Sequence, residues 1–290
     1  MAETKTYRGN CHCGTFVFEL TGPEITAAHE CTCSICYKKG ATWTFPGESS
    51  SFKIVKGDEN DLKEYLFGSK KTHYKFCPTC GTSLYGTAPT MPPGMNMAVN
   101  TRAIQDLKIW DLSVNTFDGA NTGAPYEAPE FKGEEPPAEI DGGKTYHGSC
   151  HCGAVTVAIK TKPLDETYDA MIAECNCSID QRAGAVWIYA SESQVSISGA
   201  ENLRRYDFGR FDWSFAFCQA CGIPVVRRQL PKTEEDLAAM DERRRGFMVR
   251  MKDKTPVNLR LLNGFDVSKS GLKVSKNDGW EACNPQYVNP

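Results

Sequence analysis

GNCHCGTFVFEL, from Gly9 to Leu20, returns as GSCHCGAVTVAI from Gly148 to Ile159, and ECTCSIC at Glu30–Cys36 returns as ECNCSID at Glu174–Asp180. The echo stays in register. Trp43 and Phe45 answer to Trp187 and Tyr189, Tyr65 and Phe67 to Tyr206 and Phe208, and FCPTCG at Phe76–Gly81 to FCQACG at Phe217–Gly222. An offset of about 140 residues is far longer than the roughly 20 to 50 of a solenoid repeat, so the unit duplicated is a whole domain. Residues 1–125 form the first unit and 145–290 the second. Residues 126–144, rich in Pro, Glu and Gly, read as a linker, because such a composition disfavours packing.

Within each unit the reading is mainly β. Thr15–Leu20, Ala154–Lys160, Thr42–Phe45, Ala185–Tyr189 and Val195–Ile197 are short runs of β-branched and aromatic residues, and Gly, Pro, Asn and Asp punctuate them. One helix stands out, in the second unit only. Thr233 can cap Glu234–Arg245, with Asp236 at the third helical position, arginines at the end and Gly246 as the stop. Its charge marks a solvated surface helix.

Composition narrows the partners. The net charge of −3 comes from interspersed acids and bases, without the basic stripe that nucleic acid or an anionic membrane requires. MAETKTYRGN lacks the apolar region of a secretory signal, and no run approaches the roughly 18 apolar residues of a membrane span. A cytoplasmic chain is the expectation. Its 14 cysteines fall in tight CxC and CxxC groups, and 14 of 290 residues is well below the roughly 8 to 10% of small disulfide scaffolds. Metal thiolate sites account better for them in a reducing compartment.

A CxC and a distant CxxC together supply the four thiolates of a closed tetrahedral zinc site. Cys11, Cys13, Cys77 and Cys80 form one such set, and Cys150, Cys152, Cys218 and Cys221 the other. Each ties the start of its unit to a later hairpin, so metal binding contributes to folding. Cys31, Cys33 and Cys36 differ, since no fourth cysteine remains in their half. Either the fourth position is open to a ligand, or a side chain such as His29 closes a second structural site. A zinc with three thiolates is a poor activator of water but suits sulfur chemistry, holding a thiol as thiolate and releasing it. Asp180 stands where a third cysteine would be in the second half. Cys175, Cys177 and Asp180 are thus an incomplete metal set, read as a vestige that supports the fold.

With these residues in view, the chain resembles the glutathione-dependent formaldehyde-activating enzymes, whose domain is shared with centromere protein V. The motifs that carry the resemblance are CHCG at Cys11–Gly14, CTCSIC with the following basic residues at Cys31–Gly40, and FCPTCG at Phe76–Gly81, and it extends over both halves. It implies two tandem Mss4-like, β-tent zinc-binding domains of short antiparallel strands. It also implies a carbon–sulfur lyase acting on glutathione adducts, with zinc as cofactor and glutathione as a possible cosubstrate. By resemblance, Cys11, Cys13, Cys77 and Cys80 are the structural ligands and Cys31, Cys33 and Cys36 the catalytic ones. Asp180 departs from the pattern. The family also suggests the alternative of a non-enzymatic zinc module for protein interaction.

Comparing the halves sorts the remaining candidates. Trp43/Trp187, Phe45/Tyr189, Tyr65/Tyr206 and Phe76/Phe217 recur in both and read as core aromatics. His12 and His151, inside the CHC turns, read as structural or exposed. Residues unique to the first half carry more information: Lys39, His73 and Tyr85 are candidates for a carboxylate contact, a proton-transfer group and a hydroxyl donor near Cys31. Cys283 has no partner in the repeat and reads as a plain thiol. The implied partner is a small thiol adduct. Oligomeric state is open at this level.

Overall fold

The computed structural model describes residues 4–47, 51–122, 124–283 and 285–290. In the first half, the described chain forms β1 (Lys5–Asn10), β2 (Val17–Gly22), β3 (Ala27–Cys31), α1 (Ser34–Lys39), β4 (Thr42–Thr44), β5 (Phe52–Lys56), β6 (Lys63–Tyr65), β7 (His73–Phe76), β8 (Ser83–Thr87), β9 (Met97–Asn100) and β10 (Ser113–Phe117). The second half repeats this order as β11 (Lys144–Ser149), β12 (Thr156–Thr161), β13 (Ile172–Cys175), α2 (Ser178–Ala183), β14 (Trp187–Ser191), β15 (Val195–Ser198), β16 (Leu203–Asp207), β17 (Trp213–Cys218) and β18 (Pro224–Gln229). There α3 (Glu234–Ala238) and α4 (Glu242–Arg250) interrupt it before β19 (Lys254–Asn258), β20 (Ser275–Asn277) and α5 (Gly279–Ala282).

Each half holds a three-stranded sheet and a seven-stranded sheet. The orders β1-β2-β5 and β10-β3-β4-β9-β8-β7-β6 are reproduced by β11-β12-β15 and β20-β13-β14-β19-β18-β17-β16. Pairing is antiparallel except at one edge of each large sheet, where β10 runs parallel to β3 and β20 to β13. Those parallel edges seat the segment after each outer strand beside a cysteine cluster. No helix among the described residues is long and apolar enough to cross a membrane.

The halves do not pack as separate globules. Ile35, Cys36, Ala41, Trp43 and Tyr74 of the first half belong to one buried cluster with Val155, Val157, Ile188 and Val225 of the second. Phe76 is buried among Trp187, Phe215 and Phe217. At the centre of the contact α1 and α2 meet through their C-terminal glycines. Gly40 and Gly184 adopt φ of +57° and +60°, and a Cβ on either would lie within 2.3 Å of the other's carbonyl oxygen. Glycine is needed there for backbone conformation and for closeness alike.

The segment read as a linker takes part in this packing. Tyr126 stacks on His151 with ring centroids 4.5 Å apart, its hydroxyl donating to the His151 carbonyl at 2.8 Å. Tyr287, near the C-terminus, treats His12 alike, at 4.6 Å and 2.7 Å. The repeat therefore extends past residue 125, and each half's tail covers the CHC turn of the other. The single helix expected over Glu234–Arg245 is also two. Thr233 and Asp236 form the expected capping box, but Asp241 accepts from the Arg244 N–H at 2.9 Å and starts a second helix that runs through Gly246. A glycine stops a helix only where the chain turns left-handed, and Gly246 has no positive φ.

Candidate metal centres

The two four-cysteine sets assemble as the spacing predicts. In each, all four sulfurs lie within 4.8 Å of one another. The CxC turn wraps back on itself: Cys11 N–H donates to the Phe16 carbonyl at 3.1 Å, while Phe16 N–H donates to Cys11 Sγ at 3.3 Å. The CxxC hairpin is closed by Cys77 N–H on the Thr82 carbonyl at 2.9 Å. Cys13 Sγ stands 3.5 Å from Cys11 Sγ and 3.6 Å from Cys77 Sγ. Such separations suit four thiolates around one ion at about 2.3 Å each. Cys150, Cys152, Cys218 and Cys221 reproduce the arrangement, with Cys152 Sγ 3.6 Å from both Cys150 and Cys218.

Cys31, Cys33 and Cys36 bring three sulfurs within 4.8 Å, and no His, Cys, Asp or Glu among the described residues completes the group. Cys31 ends β3, Cys33 is the N-cap of α1 and Cys36 lies three residues on, where the first helical turn brings it back to the same side. Cys31 and Cys33 are half-buried and Cys36 is buried. Among these sulfurs, hydrogen bonds from Cys33 and Cys36 hold Cys31 down to about 3, and the hydrogen bond to Cys31, with burial, pushes Cys33 up to about 11. His29 does not join them. Its ring meets Phe45, with centroids 5.2 Å apart.

Two residues of this centre escaped the sequence reading. Gly119 presses so closely that a Cβ would lie 2.3 Å from Cys31 Sγ, and its N–H, which donates to the Phe117 carbonyl at 2.9 Å, also helps to lower that thiol. The buried Tyr74 hydroxyl contacts Cys36, and burial raises its pKa. A signal for the first existed in the repeat: Asp118–Gly119 recurs as Asp278–Gly279, and Gly279 presses on Cys175 and Cys177 in the same way. Tyr74 has Phe215 as its counterpart, so its hydroxyl is particular to the first half.

In the second half the sulfurs of Cys175 and Cys177 and a carboxylate oxygen of Asp180 lie within 4.8 Å. The carboxylate is heavily engaged. Trp187 Nε1 donates to Oδ1 at 3.0 Å, while Arg227 Nη1 at 2.9 Å and the Cys177 thiol at 3.3 Å donate to Oδ2. Beside this cluster opens a cavity of about 380 Å³, lined by Cys177, Arg210, Trp213, Arg227, Trp280 and Cys283 among others.

The sequence model of the glutathione-dependent formaldehyde-activating enzymes matches residues 6–117 and, a second time, 145–247. The chain belongs to this family. A solved structure of a Rhodobacter sphaeroides protein is similar at 27% identity, covering 44% of this chain and 97% of its own, with a TM-score of 0.32.

The side chains expected to serve substrate in this family member lie elsewhere. Lys39 is buried and donates to the Cys221 carbonyl at 2.9 Å, with its ammonium 4.9 Å from the centre of the Phe76 ring. Burial pulls it down to about 8. His73 pairs with Glu64 at 2.9 Å. It precedes Tyr74 in β7, and successive strand side chains face opposite ways, so the residue facing Cys36 is Tyr74. Tyr85 packs with Phe16 and Phe52 in the core of its own half. None of the three is brought to the Cys31 cluster.

One further expectation needs correction. Phe45 is 43% exposed, hence no core residue. His12 and His151 are buried and join the halves. Nδ1 of His12 is 2.9 Å from Tyr206 Oη and Nε2 is 2.9 Å from Ser178 Oγ. His151 meets Tyr65 at 2.7 Å and Ser34 at 3.0 Å. Burial lowers both, His12 to about 3 and His151 to about 4, so they bridge as neutral rings.

Proposed function

We propose that the protein is a zinc-dependent enzyme that makes or breaks a carbon–sulfur bond between glutathione, or a related thiol, and a small electrophile, with Cys31, Cys33 and Cys36 as its reactive centre. The observation that carries this reading is a group of three clustered sulfurs with no fourth protein donor among the described residues. The two four-sulfur groups are complete and serve the fold. When bound at the three-sulfur group, zinc supplies a position at which a thiol is held as a nucleophilic thiolate.

The chain's own residues support that use. Cys31 and Cys33 are partly exposed, so a small molecule can reach them, while the buried Cys36 fixes the group against the core. Gly119 and the Tyr74 hydroxyl flank Cys31 and Cys36 and orient the ligand set. In the forward direction sulfur adds to the electrophilic carbon and the carbonyl oxygen takes up a proton; the reverse expels the thiolate. Family membership supports glutathione as the thiol.

The test is free-thiol consumption with glutathione and a panel of small aldehydes. Cys31→Ser should abolish turnover with circular dichroism unchanged, whereas Cys11→Ser should unfold the first half. Equal turnover by both variants sinks the assignment.

A further inference from the structure

The loop after β9, DLKIWD at Asp106–Asp111, faces α2 and the turn around α5 of the other half, and between them lies a cavity of about 420 Å³. The carboxylates of Asp106, Asp111, Asp278 and Glu281 line it, together with the indoles of Trp110 and Trp280. Lys108 is the one base among the described lining residues. Among the described residues none of the four carboxylates is held in an ion pair. Trp110 already receives a cation on its ring, with Lys276 Nζ 5.4 Å from the centre.

The inner wall carries a polar group without a partner. Gln181, in α2, is 5% exposed and lines the cavity. Its backbone N–H closes the helical turn on the Cys177 carbonyl at 2.9 Å, but its side-chain amide has no hydrogen-bond partner among the described residues. A buried amide left so is costly, and a polar occupant of the cavity satisfies it.

The matching place in the duplicated fold does without such a wall. There Tyr37 stands where Gln181 does, and its hydroxyl accepts from the Val267 N–H at 3.0 Å, closing the gap that the shorter Gln181 leaves before Ile109. Asp106, Trp110 and Asp111 correspond to Gly264, Ser268 and Lys269, and Trp280 and Glu281 to Ala120 and Asn121. Both indoles and three of the four acids therefore belong to one side alone, and the fold itself does not require them. Asp106 also holds φ at +57°, where its counterpart Gly264 has +67°. An aspartate there bears a backbone cost that glycine avoids, and it sets a carboxylate on the wall.

We propose that this cavity between the halves binds a small organic cation, an amine in its ammonium form carrying an apolar body, with its charge among the four carboxylates and against the indoles. The negative face of an indole attracts a cation, more strongly where both are shielded from water. The Gln181 amide oxygen accepts from the ammonium N–H. A bare divalent ion would take up the carboxylates and leave both indoles unused. None of Cys31, Cys33 and Cys36 lines the cavity, so the inference does not rest on the reaction proposed for them.

The test is calorimetric titration of the full-length chain with benzylamine at neutral pH, with benzyl alcohol as the neutral match. Saturable binding of benzylamine and none of benzyl alcohol is expected. Asp111→Asn combined with Glu281→Gln, both at exposed positions, should weaken it at least about fivefold, and Trp110→Leu about threefold. Gln181→Tyr, which puts into the cavity the side chain its counterpart carries, should abolish it, with circular dichroism unchanged in every variant. No saturable binding up to about 10 mM overturns the proposal. Equal binding of benzyl alcohol does so too, since the cavity would then select only apolar bulk, as does undiminished binding by the charge variant. Wild-type affinity in Trp110→Leu, with calcium chloride displacing benzylamine at equal concentration, marks a metal-ion site and also overturns it.

Discussion

The hydroxyl of Tyr65 lies 2.7 Å from Nδ1 of His151, across the contact between the halves, and Tyr206 stands 2.9 Å from Nδ1 of His12 in the matching position. A duplicated chain has therefore built within itself a two-fold contact, in which each CHC turn is gripped by the other half. Tyr65→Phe leaves a buried ring nitrogen without its partner and should cost about 1 to 2 kcal/mol. Urea unfolding checks this, and zinc content should not change.

Gly40 and Gly184 allow no side chain. Gly40→Ala combines a left-handed backbone with a Cβ 2.0 Å from the Gly184 oxygen, so α1 and α2 must separate. A loss of about 2 to 4 kcal/mol is expected, seen as a lower Tm, and Gly184→Ala should match it.

Lys38 spans the same contact, with Nζ donating to the Ser149 carbonyl at 3.0 Å, the Leu261 carbonyl at 2.8 Å and Asn263 Oδ1 at 3.2 Å. Lys38→Met keeps the volume but orphans these acceptors. The cost should be about 2 to 3 kcal/mol in denaturant unfolding, although the residue is a surface type.

Tyr74→Phe removes the hydroxyl beside Cys36 without creating a cavity. Zinc affinity of the first-half centre should fall about tenfold, with unfolding free energy nearly unchanged. Competition with a chromogenic chelator measures it; an unaltered affinity would mean that the hydroxyl does not orient the ligand set.

Acid should loosen the inserted α3–α4 segment before it unfolds the sheets. Asp212 accepts from Arg244 Nε at 3.0 Å and pairs with Lys232 at 3.3 Å, and the bonds from these bases hold it below the usual carboxylate range against the cost of burial. A carboxylate with a lowered folded value stabilises above its unfolded value of about 3.9, and that contribution is lost as pH falls through the folded one. Proteolysis near Glu234–Arg250 should rise below about pH 4. In Asp212→Asn it should be high already at neutral pH.

The cysteine clusters were legible because their ligands recur at short, fixed spacings, and local geometry brings residues two or three apart to one point. Cys31, Cys33 and Cys36 needed only a strand end and one helical turn. The repeat also exposed the hairpin pairs, since the same FCxxCG turn appears in both halves. Lys39, His73 and Tyr85 failed as substrate contacts for a common reason. Which face a strand residue presents, and what a helix end reaches, depend on the neighbour packed against them. Being unique to one half says nothing about either.

Thiolate spacing, β-rich patterning and duplication are properties of the chain read along its length, and they determined the family, the two matching halves and the four cysteine groups. Tertiary structure alone decided that the halves interlock, that the supposed linker covers a CHC turn, that Tyr74 and Gly119 flank the Cys31 cluster and that Cys177 and Cys283 line one cavity. Those relations join residues tens to more than two hundred positions apart. No local periodicity encodes them, because they arise only once buried surfaces of two units have to fill one another.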